Sequence, residues 1–289
     1  LTGNDADLPQ ELQKHRDRIR SLLYFSDNAP EGLMSSLDRH LPHIPKLGLI
    51  GTYTPFVTGL DQTLVRGSKP FGAGAVGLAL LGEPQPKLER GFHGLKSISK
   101  TYSITSSASN LIYELDGKNP TKEALVAYNS VPLSEGETPA TRKAADMYLG
   151  VLDESQPDSA TPSFSMVYRV SAGGPSRGTI SVDADVGPPT GSRVQFLHKP
   201  ILQVADATVL QAQPGSIQFV AASSVGEHGQ GGRSSNVVRD SLVLENVFVA
   251  HSENGVLISS PSSAAQLRAP STWRCTVPDS WGSLQWSEA

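Results

Sequence analysis

Few residues in this 289-residue chain stand at spacings that support chemistry. His40 and His43 are close enough to suggest a metal pair, yet no Cys, Asp or Glu stands at the local spacing a zinc site uses. A helix C-terminus favouring histidine through the helix dipole accounts for them. Asp183 and Asp185, in the stretch SVDADV, could hold a hard cation. Two carboxylates two apart on a strand more often form a solvated face. Cys275 follows Trp273 and Arg274, and a neighbouring guanidinium can lower a thiol pKa; packing within a Trp-rich segment is the plainer account. The Gly-rich run GEHGQGGRSS at 226–235 lacks the GxxxxGK[ST] order of a phosphate-binding loop and reads as a polar loop. Gly72, Gly74 and Gly77 match GxGxxG in part, but Gly77 sits inside an apolar strand rather than at a helix start. Close backbone approach explains them better. No GxSxG elbow is present, and His198, His228 and His251 are scattered. The sequence therefore assigns no catalytic residue, no metal ligand and no cofactor.

The elements that would position such groups are legible from periodicity. Residues 5–20 read as a helix, with Asp7 as cap, Pro9 in the first turn and Leu8, Leu12 and Ile19 as an apolar stripe. Residues 21–28 read as a strand, 30–40 as a helix carrying Leu33, Met34 and Leu37, and 47–52 as a second strand. This β-α-β order predicts two parallel strands in one sheet. Strands at 63–66 and 74–81 come next, joined by a turn at 67–72, and then a hairpin of 101–105 with 111–115. Asn119 caps a helix that starts at Pro120 and runs to about Tyr128. A further helix is expected at about 139–150 and a loop at 151–162. The character then shifts to strands at 163–170, 178–182, 192–197, 216–222 and 244–251. Glu253-Asn254-Gly255 is expected to join 247–250 to 256–259 as a hairpin. All three tryptophans, Trp273, Trp281 and Trp286, lie in the Ser/Pro-rich tail. Large aromatics there predict that the tail docks on the body. These elements make an α/β to α+β fold of mixed β-sheets with packed helices, divided into a β-α-β part at 1–150 and a strand-rich part at 151–289.

Bulk properties narrow the partners. A net charge of −4 and a pI near 6.0 provide no basic field, so nucleic acid is not an expected partner. No apolar run approaches the ~20 residues of a membrane-spanning helix. One cysteine excludes a disulfide within the chain and suits a reducing, intracellular compartment, cytoplasm or mitochondrial matrix. The first residue is Leu1 rather than Met, which implies a cut or processed start and leaves room for a removed organellar presequence.

Several stretches together resemble one family. SLLYFSDNAPEGLMSSL (21–37), LGLIGTYTPFV (47–57) and FGAGAVGLALL (71–81) are similar to the opening of the FIST domain, named for F-box and intracellular signal transduction proteins. YSITSSASNLIYELDGKNPTKEAL (102–125) is the closest match, with Asn110, Tyr113, Glu114, Leu115, Asp116 and Gly117 in the places of the family's N-x-I/V-Y-E-L-D-G-x-P segment and Pro120 one position beyond that of its proline. LENVFVAHSENGVLIS (244–259) looks like the terminal hairpin of fungal-type members. The resemblance covers most of 1–125 and thins across 126–240.

The resemblance implies a FIST-like two-part architecture and a stand-alone, fungal-type member without F-box or signalling output domain. Its implied role is sensing a small ligand, an amino acid or metabolite, in signal transduction. Open α/β sheets bind ligands beyond the carboxyl ends of their strands. On that rule the expected pocket is lined by Thr52, Thr54 and Thr58, by Gly72 and Gly74, and by Asn110 and Tyr113. As a strand-turn-helix junction, YELDG also has a purely structural reading. The alternative function is a structural or adaptor subunit of a larger assembly, an organellar one included, docking on a protein partner through Trp273, Trp281 and Trp286. An enzyme whose nucleophile and base meet only in the fold is the third reading.

Overall fold

The computed structural model describes residues 8–82, 84–132, 147–153, 162–174, 178–199, 214–222, 246–259 and 272–286. The opening β-α-β unit forms as its pattern predicts. β1 (Ile19–Ser26) and β2 (Lys46–Ile50) pair in parallel. Between them runs α2 (Glu31–His40), with His40 in its last turn. Alternation along β1 sends Leu22 and Tyr24 to one face of the sheet and Leu23 to the other. The first two join Leu37, Leu41, Ile50 and Leu257 in a cluster that includes the α2 face. Leu23 belongs to a larger core that runs through to Leu284.

The first helix is shorter than predicted. α1 spans Gln10–Lys14 with Pro9 as its N-cap residue, and a 3-10 turn comes after it at Arg16–Arg18. Ile19 is not on its stripe: it opens β1 and is buried. Asp7 lies outside the described residues.

A five-stranded sheet is built on this unit in the order β17 (Thr272–Cys275), β16 (Val256–Ser259), β2, β1, β5 (Ala75–Leu81). Chain order predicts that β5 pairs with the strand at 63–66. Instead β3 (Leu64–Arg66) folds back on β4 (Lys69–Phe71) across Gly67, and β5 runs antiparallel to β1. A tight hairpin satisfies β3 locally and leaves β5 free for the larger sheet. Gly77 makes that approach possible, because a Cβ there would lie 2.5 Å from Leu23 O.

The second sheet has seven strands in the order β10 (Met147–Leu152), β11 (Phe164–Gly174), β12 (Thr179–Val182), β9 (Leu111–Leu115), β8 (Tyr102–Ala108), β13 (Arg193–His198), β7 (Lys96–Ser97). β10 also pairs with β13, which closes the ring into a small barrel. The predicted β8–β9 hairpin forms, with Ser109 at φ 51° in its turn. So does α4 (Pro120–Asn129), whose cap Asn119 accepts a hydrogen bond from Lys122 N at 3.1 Å. The helix expected at 139–150 is not present in its last residues, which open β10; 139–146 lie outside the described residues. The polar runs 154–161 and 226–235 lie outside them as well.

The third sheet is four-stranded: β15 (Val247–Ser252), β14 (Ser216–Ala221), β18 (Ser280–Gln285), β6 (Lys87–Phe92). Here another expectation is corrected. β15 and β16 do not form a hairpin across Glu253-Asn254-Gly255: β15 pairs with β14 and β16 with β2 and β17. The turn hands the chain from one sheet to another. Gly255, at φ 101°, makes this turn, and a Cβ there would sit 2.5 Å from Cys275 O. Alternation on both sides of a turn looks the same whether the strands pair with each other or with two sheets.

The fold is thus a mixed α/β, strand-rich structure with a few packed helices. Residue 150 lies inside β10, and each of the three larger sheets takes strands from both sides of it. The described part of the tail, 272–286, docks on the body. Trp273 is 2% exposed in the core, the Trp281 ring lies against Gly91, and Trp286 packs against the same core. No helix among the described residues is long and apolar enough to cross a membrane.

Candidate functional site

A cavity of about 420 Å³ opens along the outer edge of β17, within the usual range of small-ligand pockets, roughly 300–1,000 Å³. One wall is α2. Glu31, Met34, Ser35 and Asp38 line it, and their i, i+3, i+4, i+7 spacing puts them on a single stripe. The opposite wall is the turn after β12, with Asp183 and Asp185, together with Ser171 of β11. Asn110 closes it from the β8–β9 turn, donating from Nδ2 to Val182 O at 3.2 Å. The floor is Thr272, Trp273 and Arg274. β17 runs antiparallel to β16, and β16 antiparallel to β2. β17 therefore points the same way as β1 and β2, and its carboxyl end lies on the side where open sheets bind ligands.

Asp38 ties α2 to the sheet. Its carboxylate accepts from Thr272 N at 2.8 Å and from Thr272 Oγ1, and Lys46 Nζ lies 3.2 Å away. Lys46 is completely buried. Nζ faces Asp38 as a charge partner but outside hydrogen-bond geometry. Burial pushes its ammonium below the ordinary lysine value, with Asp38 opposing the shift in part. Tyr24, buried nearby, is pushed up by burial and by the Asp38 charge. A carboxylate offers about four acceptor positions, and the two bonds from Thr272 leave Asp38 acceptor capacity for a molecule in the cavity. Arg274 is held at the other end: Nη2 donates to Asn28 Oδ1 at 2.8 Å, and the guanidinium also reaches Asn254 O at 3.1 and 3.2 Å. Asp183 accepts from Thr276 Oγ1 at 3.1 Å. Glu31 and Asp185 carry no hydrogen bond or ion pair from their carboxylates to any described residue. Acids therefore outnumber bases on the lining, four to one. A second cavity of about 460 Å³, along α4 and β11, shares Ser171 and Asp183 with the first.

A family model, the FIST N domain, matches residues 4–118. Over that stretch the chain is similar to FIST N domains. No curated protein and no solved structure matches the chain. FIST domains are associated with signal transduction and the sensing of small ligands. The FIST N segment supplies α2 and Asn110 to the cavity, whereas Ser171, the 183–186 turn and β17 come from beyond it. It also lends strands to all three larger sheets, so the FIST N segment does not stand apart from the rest of the chain.

Of the residues nominated from sequence, Asn110 lines this cavity. The others are tied elsewhere. Thr52 is exposed. Thr54 Oγ1 and Thr58 Oγ1 both bond to Thr63 Oγ1, the first at 2.7 Å, and Thr54 also donates to Leu60 O. Gly72 packs on Leu60 of the same loop. Gly74 N donates to Asp27 Oδ2 at 2.7 Å and returns its carbonyl to Asp27 N. Tyr113 is 40% exposed on β9. Trp273, nominated for docking a partner, is instead part of this chain's own core and lines the cavity. Asp183 and Asp185 stand in the turn after β12 rather than on a strand face. Among the described residues no three of His, Cys, Asp and Glu come together as metal ligands. Burial raises the Cys275 thiol to about 11, the opposite of an activated nucleophile. Sequence reasoning passed over Glu31 and Asp38, and weighed Arg274 only as a neighbour of Cys275. The 31/34/35/38 stripe on α2 is the signal that could have found the first two.

Proposed function

We propose that this chain is a small-ligand sensing module of the FIST type whose ligand occupies the cavity between α2, β17 and the 183–186 turn. The observation that carries this reading is the origin of the walls. One comes from the FIST N segment and the other from the rest of the chain, so a molecule bound there bridges the two. A ligand that touches α2, β17 and the 183–186 turn favours the arrangement in which these elements are packed together, and a sensor reports such a bias. The lining suits a polar molecule with a cationic group, and amino acids and other amine-bearing metabolites fit that description. The test is a thermal-shift screen of such compounds against the wild-type chain and the Asp38→Asn and Arg274→Ala variants. Binding at 100 times Kd stabilises by about 2.7 kcal/mol. A hit that both variants weaken supports the reading. A panel with no stabilising compound, or hits indifferent to both variants, would overturn it.

A second reading, an adaptor within an assembly, rests on a different surface. α3 (Pro55–Thr58) and its approach expose Tyr53, Phe56 and Val57 at 63%, 98% and 84%. Contiguous exposed apolar side chains mark interaction sites. Size-exclusion of native lysate separates this reading: a chain that elutes only as a free monomer counts against it.

A further inference from the structure

The cavity exposes an unused sheet edge as well as side chains. Among the described residues β17 is the outermost strand of the five-stranded sheet and pairs only with β16. In an antiparallel pair, alternate residues direct their N–H and C=O toward the partner strand and away from it. Three contacts fix which residues face outward. Thr272 N donates to Asp38, on the side away from β16. Cys275 O lies close against Gly255, where β16 begins. Ile50 N donates to Gly255 O, so the main-chain groups of Gly255, and of Leu257 two residues on, are directed to β2 rather than to β17. Arg274, two residues from Thr272 and opposite Leu257, therefore presents both its N–H and its C=O at the open edge. Among the described residues nothing pairs with them. Arg274 lines the cavity, as do Glu31 and Asp185 with their free carboxylates. Trp273, 2% exposed, lines it too, and its indole N–H has no partner.

A donor–acceptor pair on a strand edge is matched by one thing above all, the N–H and C=O of an extended peptide. The surplus of carboxylates around it selects a positive side chain. We propose that the ligand of this cavity is a short basic peptide segment in extended conformation, which adds one residue of main chain to β17. Its N–H and C=O pair with Arg274, and its basic side chain meets Glu31, Asp183 and Asp185. This rests on the cavity being the ligand site and replaces a free amino acid with a peptide as the molecule it takes.

The experiment is isothermal titration of the full chain with four probes: acetyl-Ala-Lys-Ala-amide, the same peptide N-methylated at Lys, acetyl-Ala-Glu-Ala-amide, and free lysine. The basic peptide is expected to bind, with at least tenfold loss on N-methylation, no binding of the acidic peptide, and at least fivefold loss in the Glu31→Gln/Asp185→Asn variant. These two residues are exposed or half-buried, so the variant keeps its fold, checked by its thermal midpoint. Equal binding of the parent and N-methylated peptides would overturn edge pairing and leave the cavity intact as a site. Binding of lysine with no peptide bound would likewise replace the peptide by a free amine. Peptide binding unchanged in Glu31→Gln/Asp185→Asn would place it outside the cavity, and no binding by any probe would overturn the peptide proposal, leaving the small-molecule screen as the separate judge of the cavity itself.

Discussion

Two regions lie beyond the carboxyl ends of the parallel strands, and they differ in what surrounds their polar groups. The 52–74 region holds threonines and glycines that satisfy one another. Thr54 and Thr58 share Thr63, and Gly74 exchanges bonds with Asp27. Its side chains at the tip are exposed. The β17 region holds a carboxylate anchored on a buried ammonium, free acids above it and an open strand edge. Its walls come from α2, from the barrel and from the last part of the chain. Small polar residues after a strand make a self-contained loop when their partners are near in sequence. They make a site when remote elements wall them in and leave acceptors over.

The comparison breaks first at Asp38. Asp38→Ala leaves Lys46 buried without a counter-charge and Thr272 N without its acceptor. It is expected to lower unfolding free energy by about 3–5 kcal/mol in urea denaturation. The double variant Asp38→Ala/Lys46→Met should recover most of that loss, since apolar replacement of a buried pair is often neutral. A loss below about 1 kcal/mol in the single variant would show that the pair is not the anchor. Next is the turn that carries the chain into β16 and sets β17 against it. Gly255→Ala must adopt a positive φ and push Cys275 O aside, with an expected loss of about 2–3 kcal/mol. Gly59→Ala, at φ 78° but with nothing within 4 Å, should lose only about 1 kcal/mol.

The third expectation concerns pH. Cys275 titrates near its ordinary value of 9.0 when unfolded and at about 11 when folded. Between those values the native state holds a proton the unfolded state has lost, so stability falls as pH rises from about 9 to about 11. The loss is on the order of 3 kcal/mol. Cys275→Ala should remove this part of the alkaline slope in denaturation curves measured at successive pH values. The smallest effect belongs to the loop. Thr54→Val is expected to lose about 1 kcal/mol or less, and to leave any ligand-induced stabilisation unchanged. A Thr54→Val variant that abolished ligand stabilisation would move the site back to the 52–74 region.

The β-α-β opening, the β8–β9 hairpin and the Asn119-capped helix were legible in the sequence, because each depends on residues within a few positions of one another. So was the FIST character of the first part of the chain, which the match over 4–118 bears out. Asn110 is the nominated residue that reaches the cavity, since its turn geometry is also local. Strand partners were not legible. β5 leaves its neighbour for β1, and β16 leaves β15 for β2, because period-2 alternation says which face is buried and not against which strand. The tryptophan tail signalled docking but not its target, and only the tertiary structure made Trp273 a wall and Arg274 an edge. What the residues alone determined is the class of the fold, its local elements and the FIST likeness of its first part. The tertiary structure decided where carboxylates separated by some 150 positions meet on either side of one strand, since that meeting depends on pairing across the whole chain.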